Sequence, residues 1–255
     1  MQSAHLKLLA GFAAAAAITL SSWLPACAGA FNVKPIRVFL SKDGTSTVVT
    51  IENQDQNVLR LQVRAYAWTN DRQGKPVLAP TDDLIVFPTL VDINPMERRS
   101  IRIGFSGNAA AKELTYRIAL DEMPSIESQL SKSNAPGLQV RTRVTIPVFY
   151  APLIASPKAQ IAYANLRHGA VQGRISNDGN AHATISAVDV VGRDAQGATV
   201  FEKTINGWYV LAGQSWDFSA GVGRACSKIR TLSVSVQSDV GRLQHTTTTS
   251  PADCR

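Results

Sequence analysis

The chain has 255 residues, of which 45% are apolar and 18% charged, enough apolar material for a buried core and too much for a disordered or fibrous polymer. Lys and Arg outnumber Asp and Glu by 26 to 19, but the excess is scattered without a basic run, which argues against a nucleic-acid binder. Three cysteines and four histidines without C-x-x-C or H-E-x-x-H spacing supply no zinc or iron–sulfur motif, so no metal or cofactor is expected.

Residues 1–30 read as a secretory signal peptide: Lys7 lies in a short start, Leu8 to Leu24 is nearly all apolar, and Ala26-Cys27-Ala28-Gly29-Ala30 offers small-x-small cleavage sites. Two other readings exist. A membrane anchor would use an apolar run near the lower limit for a span, and lipoprotein processing at Cys27 is poorly served by Pro25. Cleavage after Ala30 leaves Phe31 to Arg255, with no later stretch long enough for membrane insertion. Cys226 and Cys254 are then the only cysteines, and in an oxidising compartment they predict one disulfide. Its loop of roughly thirty residues implies about 3 kcal/mol of stabilisation in the chain-entropy view.

The exported chain shows period-2 alternation in short β-branched runs and hardly any helical periodicity. Strands are predicted over Val33–Leu40, Thr47–Glu52, Leu59–Thr69, Leu84–Ile93, Ser100–Phe105, Tyr116–Glu122 and Leu138–Tyr150, with turns at Asp43-Gly44 and Asn70–Pro76. Such a set fits an immunoglobulin-like sandwich of two antiparallel sheets. Asn108–Lys112 and Ser125–Gly137 are expected to be loops. The proline-bearing stretch Ala151–Pro157 marks a linker, dividing the chain into an N-terminal domain over 31–152 and a C-terminal domain over 153–255.

In the second part, strands are predicted over Gln160–Leu166, Ala170–Ser176, Ala183–Val191, Thr199–Ile205, Gly207–Leu211, Ser215–Phe218, Thr231–Ser238 and Gly241–Thr248. Asp178-Gly179 is a hairpin signal. The fold class is therefore all-β, two sandwich domains in tandem, with no sequence repeat visible between them.

An ordered set of residues resembles the PapD-like periplasmic pilus-assembly chaperones. It comprises Ile36-Arg37-Val38-Phe39, Asn53, Phe87-Pro88, Ile93-Asn94-Pro95, Ser100-Ile101-Arg102-Ile103, Tyr116 through Pro124, and Val148-Phe149-Tyr150-x-Pro152. The resemblance spans the first domain; the second matches in length and β character, with Asn177-Asp178-Gly179-Asn180 at a turn. It implies a periplasmic protein with two immunoglobulin-like domains set at an angle. Its partners would be pilus or fimbrial subunits, and an outer-membrane usher-type platform that receives them.

The same resemblance implies capture by donor-strand complementation, in which backbone hydrogen bonds give affinity and alternate apolar side chains fill the subunit's open groove. Here the donor strand would be Leu138–Tyr150, with Leu138, Val140, Thr142, Val144, Ile146 and Val148 on one face and Gln139, Arg141, Arg143, Thr145 and Pro147 on the other. The alternation suits a strand of the domain's own sandwich equally well, especially for Val144, Ile146 and Val148. An exposed donor edge would also permit self-association.

In the resembling family an arginine of the first strand and a lysine of the last hold the subunit's terminal carboxylate. Arg37 matches the arginine, but Pro147 stands at the lysine position and has neither charge nor N–H. This departure suggests a divergent branch. Arg143 shares a face with Pro147 and is the substitute anchor considered, although it lies about 13 Å upstream along a strand. Ala151 likewise replaces an arginine common before the proline.

An enzyme is not expected. No G-x-S-x-G elbow is present, Gly221-Val222-Gly223 lacks the rest of a phosphate loop, and Asp82-Asp83 and Asp121-Glu122 point to opposite faces of a strand. His168, His182 and His245 read as surface side chains. The rival function is an exported sandwich that binds carbohydrate or a surface ligand through Trp68, Trp208, Tyr209 and Trp216. A structural pilus subunit is disfavoured by the length of the chain.

Overall fold

The computed structural model describes residues 31–108, 110–124 and 141–254, so the signal segment and two donor candidates, Leu138 and Val140, lie outside the described residues. The first half contains β1 (Phe31–Lys34), β2 (Val38–Leu40), β3 (Ser46–Asn53), β4 (Leu59–Asn70), β5 (Pro76–Pro80), β6 (Leu84–Phe87), β7 (Leu90–Ile93), β8 (Arg98–Phe105), β9 (Leu114–Glu122) and β10 (Arg143–Tyr150). The second contains β11 (Ala159–Arg167), β12 (Ala170–Asn177), β13 (Ala183–Arg193), β14 (Thr199–Asn206), β15 (Tyr209–Val210), β16 (Ser215–Gly221), β17 (Thr231–Ser238) and β18 (Gly241–Thr248).

Two sheets face each other in each half. In the first, β1-β3-β8-β6 packs on β2-β10-β9-β4-β5, with β7 also paired to β4. Inward residues of alternating strands, among them Val49 and Ile51, Ile101 and Ile103, Leu61 and Val63, Ile118 and Leu120, and Ile146 and Val148, are fully or nearly fully buried between the sheets. In the second half β11-β12-β16 packs on β14-β13-β17-β18, with β15 paired to β13. Its core is Val171, Ile175, Val188, Val190, Phe218, Leu232, Val234 and Val236. Two immunoglobulin-like sandwiches follow, because each strand buries one face and only a second sheet can cover it.

Prolines account for the main departures from the predicted strands. Val33–Leu40 is two strands: β1 joins β3, and after Pro35 the chain crosses to the opposite sheet, where β2 joins β10. Leu84–Ile93 divides in the same way at Pro88, β6 pairing with β8 and β7 with β4. A proline without an N–H ends one ladder, and the strand resumes in another. β5 had no sequence signal because all five of its residues are exposed.

Buried Asn53 and Asn177 fasten the ends of β3 and β12. The Asn53 amide donates to the Asn57 and Ile93 carbonyls at 2.8 and 3.0 Å, and its oxygen accepts from the Asp55 N–H. Asn177 donates to the Ala181 and Val210 carbonyls at 2.7 and 2.9 Å and accepts from the Gly179 N–H. Cys226 and Cys254 form a disulfide between two short 3-10 turns, Gly223–Lys228 and Pro251–Cys254.

The halves meet through aromatic packing. Trp68 and Phe149 of the first sandwich bury against Tyr209 and Leu211 of the second. The His182 ring stacks on Phe149 with centroids 3.9 Å apart, and its Nδ1 lies 2.8 and 2.9 Å from the two Glu113 oxygens. His182 is therefore a junction residue, and the expected surface histidine is corrected; its ring is sequestered because the neighbouring domain covers it. The turn between β4 and β5 docks on the second half, where the Asp217 N–H donates to the Arg72 carbonyl at 2.7 Å. Gly74 is required there, since its φ is 79° and a Cβ would come within 2.9 Å of the Trp216 ring.

Candidate functional site

β10 is half an edge strand. It pairs with β9 from Arg143 to Tyr150, but with β2 only over Val148, Phe149 and Tyr150, in parallel. The segment Arg143–Pro147 therefore has one side unpaired among the described residues. Backbone phase follows from two bonds: the Ala151 N–H donates to Leu40, towards β2, and the Thr142 carbonyl accepts from Glu122, towards β9. Alternation then turns the N–H and C=O of Arg143 and Thr145 to the open side, together with the Pro147 carbonyl. Pro147 occupies an open-side position, which is where a sheet tolerates the missing donor.

Side chains of β10 divide by face. Ile146 and Val148 are buried in the first sandwich's own core, and Val144 packs against it half-buried. Ile146, a donor-strand candidate for which the own-core reading also stood, packs its side chain into its own domain, where both sheets enclose the strand. Thr142 is half-buried, precedes β10, and exchanges hydrogen bonds with Glu122.

The outward face forms successive rungs running away from the junction. Phe39, Phe149 and Thr115 share the first; Pro147, Arg117 and Tyr66 the next; Thr145, Ala119 and Arg64 the third; Arg143, Asp121 and Gln62 the last. Arg143 is ion-paired to Asp121, which also accepts from Arg64 at 2.7 Å. Burial pushes the Asp121 carboxyl up, but hydrogen bonds from both arginines and their charge outweigh it and hold the carboxyl below its usual value. Arg143 is thus paired to Asp121 and stands two rungs from Pro147. Arg141 is exposed and outside any strand.

Arg37 is exposed in the bend immediately before β2, one residue ahead of the Val38–Val148 pair, and so flanks Pro147. Sequence reasoning missed Arg117. It is 7% exposed, lies directly across β9–β10 from Pro147, and donates from one terminal nitrogen to the Thr145 hydroxyl at 3.0 Å. Its guanidinium lies over the Trp68 ring, 4.1 Å from the centroid. Burial pulls its pKa below the usual value, with Tyr209 partly opposing. The available signal was a single arginine within the otherwise apolar run Tyr116 to Leu120.

Trp68 and Trp216 are buried, and Trp208 and Tyr209 are half-buried at the junction, so these four side chains present no open aromatic platform for a sugar. Ile36, Phe39, Leu153 and Ile154 are exposed instead. They place apolar surface on the approach to β2, on β2 itself and on the linker.

Residues 30–154 match the family described as pili and flagellar-assembly chaperone, PapD N-terminal domain. The first sandwich belongs to this family of PapD-like N-terminal domains. No curated protein sequence matches it. Among solved structures, a chain of the CsuC–CsuE chaperone–tip adhesion subunit pre-assembly complex of Acinetobacter baumannii aligns with TM-score 0.59 and 19% identity, over 85% of this chain and 97% of that one. The YadV chaperone aligns with TM-score 0.55 and 17% identity, over 86% and 99%. The CupB2 chaperone of Pseudomonas aeruginosa gives 0.51 and 13%, over 85% and 99%. At these identities the structural likeness establishes the two-domain fold, and it extends the PapD-like architecture through the second sandwich, which the family match does not reach.

Proposed function

We propose that this PapD-like chaperone captures pilus or fimbrial subunits in the periplasm by lending the edge of β10, and passes them to an outer-membrane usher-type platform. The observation that carries this reading is the unpaired side of Arg143–Pro147 between β9 and the short β2. An extended subunit segment adds there through the open Arg143 and Thr145 backbone groups. Groove filling falls to Thr142 and Val144, together with Val140 and Leu138, which are candidates by sequence alternation alone and lie outside the described residues. Arg37 anchors the incoming chain by charge.

Residues 1–30 act as the cleaved signal, 31–152 as the capturing domain and 153–255 as the second wall of the cleft. Without a subunit, the same edge pairs with a second copy of the chain. Co-purification tests the reading: the tagged protein is exported together with the secreted proteins encoded beside it, and stoichiometric partners are identified. A small β-rich protein that aggregates or is degraded without the chaperone is expected. Replacement of both Leu138 and Val140 by glutamate should abolish its recovery while the fold persists. Normal recovery with that double variant refutes the donor assignment.

A further inference from the structure

We propose that the outer edge of β6 is a second strand-addition site, which takes an extended segment of another polypeptide and seats its side chains in the cleft between β6 and β4. The inference does not depend on the capture reading for β10. The two edges lie in different sheets, β10 beside β2 at one side of the first sandwich and β6 at the other side, where β4 meets β5 and β7, so occupying one leaves the other open.

Strand phase fixes which backbone groups are open. The Ser106 N–H donates to the Asp83 carbonyl, towards β6, whereas the Phe105 N–H donates to Thr45, towards β3. Gly104 and Arg102 therefore face β6 as well, and their partners there are Ile85 and Phe87. The N–H and C=O of Leu84 and Val86 turn the other way, and β6 is the last strand of its sheet. In the opposite sheet β4 has a gap on the same side. It pairs with β7 over Leu59–Gln62 and with β5 over Tyr66–Asn70. The Val63 N–H still reaches the Thr89 carbonyl, but two residues on, Ala65 turns its N–H and C=O into the space between the two partners. That space is a cleft of about 510 Å³, lined by Val63 and Ala65 below, Leu84 and Val86 above, and Thr81 and Thr89 at its ends.

Sheet edges are ordinarily protected by charge or proline. Leu84–Phe87 carries neither, and its outward side chains, Ile85 and Phe87, are 61% and 74% exposed. A strand laid antiparallel on β6 pairs its backbone with Leu84 and Val86, packs its outward side chains beside Ile85 and Phe87, and lowers its inward ones into the cleft. A second copy of β6 meets only the first two demands, because Leu84 and Val86 of each copy are already held against their own core and the cleft stays empty. Charge sets the direction. Asp82 is exposed just ahead of β6 and Arg102 is exposed across from Phe87 at its end, and neither is ion-paired among the described residues. The fitting occupant is therefore a short run of branched side chains with an acidic residue at its start and a basic one at its end.

The exported chain, labelled with nitrogen-15, is titrated with the peptide Glu-Val-Thr-Val-Thr-Val-Lys, blocked at both ends. The backbone amides of Leu84, Val86 and Ala65 should shift. Two further peptides carry N-methyl groups, one on the valines and one on the threonines. An added strand turns only one of these sets towards β6, so one modification should weaken binding about ten-fold or more and the other should not. Ile85→Lys, at an exposed position, should weaken the parent peptide about ten-fold with an unchanged thermal midpoint. Shifts confined to Arg143 and Thr145, or no shift at all, overturn the proposal. Equal binding of the two N-methylated peptides overturns strand addition, as does an Ile85→Lys variant that binds normally. A free chain that sediments as a dimer, with its Leu84 and Val86 amides shifting on dilution, overturns the partner in favour of a second copy.

Discussion

Asn53 and Asn177 make the same three hydrogen bonds at the ends of equivalent strands in the two halves of the chain: an amide to the carbonyl four residues on, an amide to a cross-strand carbonyl, and an oxygen from the N–H two residues on. The cross-strand acceptors, Ile93 and Val210, close the short strands β7 and β15, which pair with β4 and β13. The two sandwiches therefore repeat a structural device that their sequences do not display as a repeat.

Replacing either asparagine by alanine leaves several buried backbone groups unpaired, at about 1–3 kcal/mol for each group stranded. Asn53→Ala and Asn177→Ala should each lower the urea-unfolding free energy by about 2 kcal/mol or more. A loss under about 0.5 kcal/mol in either variant would show that water or local relaxation replaces these bonds.

The backbone phase of β10 predicts a sharp contrast between neighbours. Arg143→Pro removes an N–H that faces the open side and one of the two arginines paired to the part-buried Asp121, which keeps Arg64, and should cost about 1–2 kcal/mol. Val144→Pro removes an N–H bonded to β9 and should cost about 3 kcal/mol or more. Subunit capture should fall in the first variant although it keeps more of its stability than the second. Equal thermal stability of the two variants would invalidate the phase assignment.

Asp121 should contribute to acid sensitivity. Its carboxyl is held below the usual value in the folded protein, so the stabilisation is complete above the unfolded carboxyl pKa of about 3.9 and is lost as pH falls further. Urea midpoints measured between pH 6 and pH 2 should decline less steeply for Asp121→Asn than for the parent. Parallel curves would remove Asp121 from the titrating set.

The His182–Phe149 stack and the Glu113–His182 contact hold the second sandwich against the strand that carries the open edge. His182→Ala should loosen the junction while leaving both cores folded. Cleavage by a protease in the 151–158 linker should accelerate several-fold, with little change in far-ultraviolet circular dichroism. An unchanged cleavage rate would mean that the β4–β5 turn and the Trp68–Tyr209 packing suffice.

Alternation of apolar and polar residues was enough to place most strands, including Thr231–Ser238 and Gly241–Thr248 with their observed limits, because a strand that buries one face must display period 2. It failed where that condition fails. Exposed β5 has no buried face, and the runs containing Pro35 and Pro88 keep their apolar character while changing sheets. Face could be read from alternation for Thr142, Val144 and Ile146 alike, but depth could not: Ile146 is buried and Val144 half-buried because the domain's own sheets enclose the strand to different extents along its length.

The sequence by itself determined the β class, the two-sandwich organisation, the cysteine pair and the family resemblance of the first domain, since these depend on local periodicity, composition and ordered motifs. Tertiary structure alone decided which cations are ion-paired and which are buried at the junction. Arg143 is taken by Asp121, whereas Arg117 is drawn into the junction beside Pro147 with a donor left unmatched. The reason is register: the residue that stands across a ladder is fixed by long-range strand pairing and by the docking of the second sandwich, and the one-dimensional order of residues carries neither.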